Sequence, residues 1–265
     1  MSEKLQYHSV RANQLYCSSS QLKDFLKCEA MAVEKMNGTW SEPPSKALDL
    51  GSYVDALLTS NHEDENWIEN HKDVVFQKNG KPYAEFVRAA ETVCLIQKQP
   101  LMMHYLSGEH QRMMVGEIEG LPFKIRMDSY KEGEFIADLK YLRSLRSPNL
   151  FENVLSYWAY DIQCAIYVEI VRQNTGKTLP FYFVIATKED PPHLEVVRFN
   201  DYDREQALER VKAAVPRIKA IKEGLILPER CEDYNCRYCT ETRILTEPID
   251  NDKLGLPRRK DAGED

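Results

Sequence analysis

Residues 116–140, with the sequence GEIEGLPFKIRMDSYKEGEFIADLK, constrain the fold of this chain more than any other stretch. Apolar and polar residues alternate from Leu121 to Met127, which is the period of a half-buried β-strand. A turn-forming Lys-Glu-Gly follows at residues 131–133, and a second apolar run begins at Phe135. The pattern predicts a β-hairpin in which these two strands pair with each other.

Three charged residues lie at the ends of these strands: Asp128, Asp138 and Lys140. Asp138 and Lys140 share one face of their strand, because side chains alternate with period two. Carboxylate oxygens on rigid strands suit Mg²⁺ or Mn²⁺, and an ammonium group beside them can orient an attacking water. The residues alone leave a second interpretation open, in which Asp128 belongs to a turn and Asp138–Lys140 is a surface salt bridge.

Other segments carry clear secondary-structure patterns. Ser18-Ser-Ser-Gln21 is a capping box, and it predicts a helix that runs to about Met36 and stops at Asn37-Gly38. Periodicity predicts further helices over residues 45–59, 81–99, 100–106, 151–173 and 201–224, and strands over 111–119, 179–187 and 193–199. The mixture predicts an α/β protein.

Length and composition narrow the class further. With 265 residues and 43% hydrophobic content, the chain fits one globular domain over residues 1–245, and its Pro-, Gly- and charge-rich end, residues 246–265, predicts disorder. No apolar run is long enough for a membrane span, and the first residues lack a signal sequence, so we expect a cytoplasmic protein. The net charge of −7 argues against a high-affinity, non-enzymatic DNA-binding protein.

The order of several motifs resembles one known group of proteins. Asp128 and Asp138-Leu139-Lys140 are similar to the PD-(D/E)XK nuclease signature, with Met127 in the place of its proline. Lys124 to Asp128 resembles the strand that enters this motif in phage exonucleases of the lambda exonuclease and RecE type. Gln163-x-x-x-Tyr167 resembles the Q-x-x-x-Y helix of RecB-like nucleases, and the helix from Gly51 to Asp55 is similar to their G-x-x-x-(E/H) motif. The similarity spans roughly residues 18–240.

The resemblance implies a restriction-endonuclease-like fold, with a small mixed sheet flanked by helices. It also implies a Mg²⁺- or Mn²⁺-dependent exonuclease that hydrolyses linear double-stranded DNA. Asp55, Asp128, Asp138 and the Leu139 carbonyl would hold one or two ions, Lys140 would position the water, and Gln163 and Tyr167 would orient water, lysine or DNA. Without the resemblance, Asp55 fits the solvated edge of its helix, and Gln163 and Tyr167 fit ordinary packing beneath a sheet.

Three further residues are candidates for contacts near the motif. Arg143 and Arg146 follow Lys140 closely, where a nucleic-acid backbone needs cations, although a charged loop is the simpler explanation. Glu117, on the strand before the motif, is a weak candidate for the site and otherwise a solvated strand residue.

Cys231, Cys236 and Cys239 form C-x₄-C-x₂-C, which is a metal-binding signal in a reducing compartment. Cys28 is the leading fourth ligand, against Cys17, Cys94 and Cys164. Some RecB-like nucleases hold a [4Fe–4S] cluster with one N-terminal and three C-terminal cysteines, and this set resembles that arrangement. The spacing departs from their C-x₂-C-x₅-C, so Zn²⁺, a [4Fe–4S] cluster and unliganded buried thiols all stay open.

The resemblance also implies partners and leaves alternatives. Phage members of this group form rings around DNA and work with single-strand annealing recombinases, which would place this chain in a bacterial host cytoplasm. The alternatives are a single-strand exonuclease, endonuclease or spacer-processing nuclease, a catalytically silent DNA-binding or assembly module, and a metal-stabilised regulatory protein in which Asp-x-Lys arises by chance.

Overall fold

The computed structural model describes residues 6–59, 67–231, 236–244, 248 and 251. It divides into two compact units. The terminal unit comprises Met1–Glu42, Ile118–Pro122 and Ala214–Asp265, and the central unit comprises Pro43–Glu117 and Phe123–Ala213. The predicted disordered segment, residues 246–265, lies outside the described residues except at 248 and 251. The single-domain assignment stays a prediction.

Helices and strands alternate along the chain, so the α/β prediction is confirmed. The helices are α1 (Val10–Leu15), α2 (Ser19–Lys27), α3 (Glu29–Asn37), α4 (Lys46–Thr59), α5 (Lys72–Val75), α6 (Ala84–Gln97), α7 (Pro100–Tyr105), α8 (Val154–Tyr157), α9 (Tyr160–Thr175), α10 (Asp201–Lys222) and α11 (Arg237–Thr242). The strands are β1 (Arg112–Ile118), β2 (Leu121–Met127), β3 (Ser129–Lys131), β4 (Phe135–Leu142), β5 (Phe181–Thr187) and β6 (Leu194–Arg198).

A mixed sheet of order β3-β4-β5-β6 organises the central unit. β4 pairs antiparallel with β3 and parallel with β5, and β5 pairs antiparallel with β6. A parallel pair needs a long crossover, which α8 and α9 supply between β4 and β5. β5 reads as a continuous apolar run, FYFVIAT, because it lies between two neighbours and is buried along most of its length.

The predicted hairpin differs from the observed pairing. β2 does not pair with β4: it pairs with β1 in a separate two-stranded sheet, and the partner of β4 is the short strand β3. The β1–β2 connection is a two-residue turn at Glu119 and Gly120, whose φ values of 47° and 73° suit a type I′ turn. This left-handed turn accounts for the pairing, because it returns the chain directly onto β1.

Two predicted helices are each broken in the structure. The segment that begins at the Ser18 cap splits into α2 and α3 at Cys28, which has an extended backbone with φ −164° and ψ 110°. The segment predicted over residues 151–173 splits into α8 and α9, because Ala159 adopts a left-handed conformation with φ 52°. The Ser18 cap itself is confirmed, since its side chain accepts a hydrogen bond from the Gln21 amide.

Two apolar clusters hold the central unit together. One contains residues of α6, α7 and its C-cap, β4 and β5, namely Ile96, Met102, Leu106, Phe135, Ala137, Val184 and Ala186. The other joins α4, α5 and α6 through Leu50, Val54, Val75, Phe86, Ala89 and Val93. Leu139 packs against both clusters, so the strand that carries Asp138 and Lys140 is anchored on two sides.

Charged groups with several partners brace the terminal unit. Arg217 in α10 pairs with Glu29 at the start of α3 and with Glu229 further along the chain. The Lys222 ammonium donates hydrogen bonds to the Asn13 carbonyl at 2.8 Å and to the Gln21 amide oxygen at 2.9 Å. The C-terminal part of α10 is therefore tied to α1, α2 and α3. None of the helices in the described parts of the chain is both long and apolar enough to cross a membrane.

Candidate active site

Strand β4 places Asp138, the most buried acid among the described residues of the central unit, beside a lysine. Asp138 is only 2% exposed, and its Oδ2 forms an ion pair with the ammonium group of Lys140. The two side chains share a face of β4, as the period of a strand requires. A buried charge is tolerated when a partner of opposite sign compensates it, and Lys140 is that partner here.

Asp128 lies between β2 and β3, where the chain leaves one sheet and enters the other. Its Oδ2 accepts a hydrogen bond of 3.0 Å from the backbone amide of Leu139. This bond crosses from the end of β2 to the middle of β4 and fixes the Asp128 carboxylate next to Asp138. The sequence motif therefore becomes one site, although Asp128 follows β2, a strand that does not pair with β4.

Helix α4 brings Asp55 to the same place. Its neighbours Val54 and Ala56 are buried against the core, and Asp55 itself is half-buried. The amide nitrogen of Gln111 donates a hydrogen bond of 3.3 Å to Asp55 Oδ2. The charge of Asp55 also contributes to raising the pKa of Asp128, which places the two carboxylates within electrostatic reach.

The electrostatics of the site reflect an excess of negative charge. Burial raises the pKa of Asp128 well above its usual range, and the charges of Asp138 and Asp55 raise it further. Burial alone would lower the pKa of Lys140, but the charges of Asp138 and Asp128 outweigh burial and raise it. Lys140 is consequently protonated at neutral pH, and it only partly neutralises the surrounding carboxylates.

Helix α9 covers the site with polar side chains. The Gln163 amide nitrogen donates a hydrogen bond to Asp138 Oδ1, and Gln163 is 7% exposed. The ring of Tyr160 lies 4.6 Å from the Lys140 ammonium, a cation–π distance. The Tyr167 hydroxyl donates to the Arg126 carbonyl at 2.9 Å, so it fixes β2. Of these residues, Gln163 contacts Asp138 directly, and Tyr167 acts on the strand that leads to Asp128.

These groups fit a divalent cation. Asp55, Asp128 and Asp138 supply hard oxygen atoms, which are the ligands that Mg²⁺ and Mn²⁺ prefer. Asp138 Oδ2 is buried and, apart from its ion pair with Lys140, has no hydrogen-bond donor among the described residues. Buried carboxylate oxygens in a site with surplus negative charge, faced directly by one lysine, are groups that a divalent cation would stabilise.

The surplus of negative charge in the site predicts a pH dependence of protein stability that can be measured without DNA. Between the pKa of aspartate in an unfolded chain, about 3.9, and the raised pKa of Asp128, the folded state binds more protons than the unfolded state. Stability in EDTA therefore falls as pH rises through this window. Asp128→Asn removes the effect and can still accept the Leu139 hydrogen bond. At pH 8 we expect the melting temperature of this variant to exceed that of wild type by roughly 2–4 °C for each kcal/mol gained in the free energy of unfolding. This difference should disappear near the lower end of the pH window.

Thermal melts in EDTA across this pH range would check the expectation. Asp73→Asn, at an exposed acid of α5, is the matched control and should show no pH-dependent gain. Destabilisation by Asp128→Asn at every pH would contradict the assigned electrostatics.

Not every predicted residue joins the cluster. Glu117 is exposed on β1, and its backbone exchanges hydrogen bonds with Gln173, at 3.0 Å and 2.7 Å. Among the described residues, the Glu117 side chain forms no hydrogen bond or ion pair with Asp55, Asp128 or Asp138. Arg143 and Arg146 are exposed in the loop that follows β4. Their surface position leaves them accessible to a ligand.

Sequence reasoning missed two residues that contact the site. Gln111 binds Asp55, and the His110 ring nitrogen Nδ1 lies 2.9 Å from the Asp128 carbonyl oxygen. Both precede β1, and of the two only Gln111 fell within the strand predicted over residues 111–119. No local pattern marks them, because the contacts join positions 18 and 56 residues apart.

The terminal unit contains a second cluster of potential metal ligands. Cys28, Cys231, Cys236 and Cys239 come together with all four sulfur atoms within 4.8 Å of one another. The break between α2 and α3 exposes the Cys28 sulfur to this group, and Cys28 Sγ lies 3.5 Å from Cys239 Sγ. Of the competing cysteines, Cys17 and Cys164 are buried elsewhere and Cys94 is exposed on α6.

Hydrogen bonds and aromatic packing surround this cluster. Burial raises the pKa of the Cys28 thiol, but backbone amides, including that of Cys231 at 3.4 Å, outweigh burial and lower it. Trp40 and Tyr238 pack against the cysteines, with their ring centroids 5.7 Å apart. Burial raises the pKa of the Cys231 and Cys239 thiols, so in the cluster a lowered pKa, which favours the metal-binding thiolate, is found at Cys28.

These features define a domain of the PD-(D/E)XK nuclease superfamily: the mixed sheet, the cluster of Asp128 with Asp138-x-Lys140, and Gln163 of α9. The chain belongs to the family described as PDDEXK-like domain of unknown function (DUF3799), whose model matches residues 18–242. It is similar to a crystal structure from Eubacterium rectale, solved at 2.19 Å resolution and described as an exonuclease candidate. The two share 35% identity with a TM-score of 0.89, over 97% of this chain and 99% of that one. No curated protein matches the chain.

Proposed function

We propose that this protein is a Mg²⁺-dependent deoxyribonuclease that removes nucleotides from the ends of linear double-stranded DNA. One observation carries the proposal: Asp55, Asp128, Asp138 and Lys140 converge in one site that combines surplus negative charge with a protonated lysine. A catalytically silent module would not need this set. Asp-x-Lys by chance would not bring Asp128 and Asp55 to the same point.

Each residue has a role that follows from its contacts. Asp55, Asp128, Asp138 and the Leu139 carbonyl would hold the ion, with Gln163 fixing Asp138 and the Leu139 amide fixing Asp128. When bound, a divalent ion polarises the phosphodiester, lowers the pKa of water and stabilises the leaving oxygen. Lys140 is protonated, so it serves as a donor that orients the attacking water and offsets phosphate charge, and it does not serve as a general base.

Exonuclease action, as opposed to internal cutting, is supported by the similarity to the Eubacterium rectale protein. A role in phage-type recombination, with a ring-shaped homo-oligomer and a single-strand annealing recombinase as partner, is supported by the resemblance of the motifs to phage exonucleases. The molecular mass in solution would test the oligomer directly.

The loop after β4 is our candidate for the DNA-binding surface. It presents Arg143 and Arg146 close in sequence to Leu150 and Phe151, which are 94% and 97% exposed. Side chain-to-backbone hydrogen bonds order this loop, among them those of the Phe151 amide to Asn149 and of the Arg146 amide to Ser144. Arginines suit phosphates and exposed apolar side chains suit bases.

Replacing both arginines should weaken DNA binding more than catalysis. We expect Arg143→Ala with Arg146→Ala to raise the dissociation constant about tenfold and to reduce the slope of log K against log salt by about 1–2, because each phosphate contact contributes about 0.9. Binding to a labelled duplex in Ca²⁺ at several salt concentrations would measure both. The double variant Lys78→Ala, Lys81→Ala is a matched control at exposed positions, and an equal effect there would contradict the assignment of this surface.

Digestion of linear duplex DNA tests the activity itself. The substrate carries a label at either the 5′ or the 3′ end, and reactions contain Mg²⁺ or EDTA, with a closed circular duplex alongside. Mg²⁺-dependent loss of the linear DNA with the circle intact is the expected result. Cleavage of the circle would identify an endonuclease, and no cleavage with Mg²⁺ or Mn²⁺ would reject the enzyme.

We also propose that the four cysteines of the terminal unit hold a structural metal, and that the metal is Zn²⁺. The sulfur atoms lie within 4.8 Å of one another. With Zn–S bonds of about 2.3 Å, sulfurs around one tetrahedral ion stand about 3.8 Å apart. A [4Fe–4S] cluster places iron and sulfide between the cysteines and requires wider spacing. Elemental analysis and the visible spectrum of protein purified without oxygen separate these two metals.

A further inference from the structure

Residues 108–111 form a short segment that contacts the active site without belonging to the sequence motif. The Glu109 amide donates to the Tyr130 carbonyl at 2.7 Å, and the Tyr130 amide donates back at 2.9 Å. The Gly108 amide donates to the Ser129 hydroxyl at 2.9 Å. A β-carbon at Gly108 would lie 2.7 Å from the Tyr130 carbonyl carbon, so only glycine permits this approach. The segment is thereby fixed on the backbone that follows Asp128.

The end of this segment is strained. Gln111 has φ 54°, a left-handed conformation that few residues other than glycine adopt. The strain lies where the chain leaves the Glu109–Tyr130 bridge and enters β1. Strained positions of this kind persist when the surrounding structure fixes them, and they concentrate at functional sites.

The strained backbone places the side chain of Gln111 against Asp55. Its Nε2 donates to Asp55 Oδ2 at 3.3 Å. Its Oε1 is buried and has no hydrogen-bond partner among the described residues. A buried amide oxygen without a donor destabilises the folded protein, unless a bound group satisfies it.

We infer that Gln111 is a positioning residue of the ion site: it holds the Asp55 carboxylate toward Asp128 and offers Oε1 to the ligands of the bound ion. This inference rests on the proposed function, since it assigns a role at the same site. Replacing a residue that orients a metal ligand by a hydrogen bond commonly lowers the affinity for the metal 10- to 100-fold. Gln111 holds Asp55 as Gln163 holds Asp138, so an amide side chain orients each of these acids.

The test measures ion binding directly and does not depend on cleavage. Mn²⁺ is titrated into the full chain, without DNA, and free Mn²⁺ is followed by electron paramagnetic resonance. Gln111→Leu should raise the Mn²⁺ dissociation constant about tenfold. Gln97→Leu, at an exposed glutamine of α6, is the matched control and should bind Mn²⁺ as wild type does. Asp55→Ala is the reference for loss of the ligand itself.

A second variant separates positioning from folding. Asparagine tolerates the left-handed backbone, but its side chain is shorter and cannot reach Asp55. Gln111→Asn should therefore melt in EDTA like wild type and still bind Mn²⁺ about tenfold more weakly. In cleavage assays both variants should need more Mg²⁺ for half-maximal rate and approach the wild-type rate when Mg²⁺ is saturating.

The possible failures are distinguishable. If wild type binds Mn²⁺ and Asp55→Ala does not, but both Gln111 variants bind within twofold of wild type, the role of Gln111 is rejected and the ion site stands. If wild type binds no Mn²⁺, both the role of Gln111 and the proposed function fail.

Discussion

Asp138→Asn and Lys140→Ala should each lower the rate of DNA cleavage by about 10³-fold or more, which is the scale at which single groups that stabilise transition-state charge contribute. Asp138→Asn keeps the shape of the side chain and can still accept the Gln163 hydrogen bond, but it removes the charge that pairs with Lys140 and would bind the ion. Lys140→Ala removes the protonated donor while the carboxylates stay in place. Initial rates on end-labelled linear duplex in Mg²⁺ would measure both losses.

The two variants should differ in their response to the ion. Lys140→Ala leaves three carboxylates without their cation, so we expect it to bind Mn²⁺ at least as tightly as wild type and to cleave poorly nonetheless. Asp138→Asn should lose both Mn²⁺ binding and DNA cleavage. Lys131→Ala, at a lysine of β3 that pairs with Glu134, is a matched control and should cleave normally. Wild-type rates in either active-site variant would overturn the assignment of the site.

Cys239→Ser should lose the metal of the terminal unit and much of that unit's stability. Structural Zn²⁺ in small domains contributes about 10–16 kcal/mol of apparent binding free energy, so we expect a melting temperature at least about 10 °C lower and faster proteolysis of the terminal unit. Zinc content per chain, thermal melts and limited proteolysis would measure the three effects. Cys94→Ser, at an exposed cysteine outside the cluster, should behave like wild type.

If Cys239→Ser is insoluble, the contribution of the metal to stability can be tested on the wild-type protein. Wild-type protein treated with a strong zinc chelator should show the same drop in melting temperature, and added Zn²⁺ should reverse it. Normal melting of metal-free wild type would show that packing of Trp40, Met31 and Tyr238 holds the cysteines together without a metal.

The sequence predicted which acidic residues lie together in the candidate site more accurately than it predicted the pairing of the strands. Asp138 and Lys140 could be placed on one face of a strand because the period of a strand is local and exact. The partner of that strand could not be predicted, because pairing depended on the left-handed turn at Glu119 and Gly120. The break at Ala159 was equally hidden, since alanine favours helices and its left-handed backbone there is imposed by tertiary structure.

Contacts between positions far apart in the sequence also limited which site residues could be predicted. Gln163 could be predicted as part of the site through a motif, whereas Gln111 has no motif and is identified only by its hydrogen bond to Asp55. Cys28 could be named as the leading partner of the C-terminal cysteines. What brings its sulfur to them is the extended backbone between α2 and α3, and helical periodicity gave no sign of that break.

The spacing of the cysteines along the chain has a consequence for biosynthesis. Cys28 precedes Cys231 by 203 residues, and the last partner is Cys239, so a ribosome must synthesise all of the intervening chain before four sulfurs can meet. A prematurely terminated product, even one with every acid of the active site, would hold one ligand of four and could not retain the ion. Metal loading would thus mark molecules whose synthesis has passed Cys239, and shorter products would stay accessible to cellular proteases.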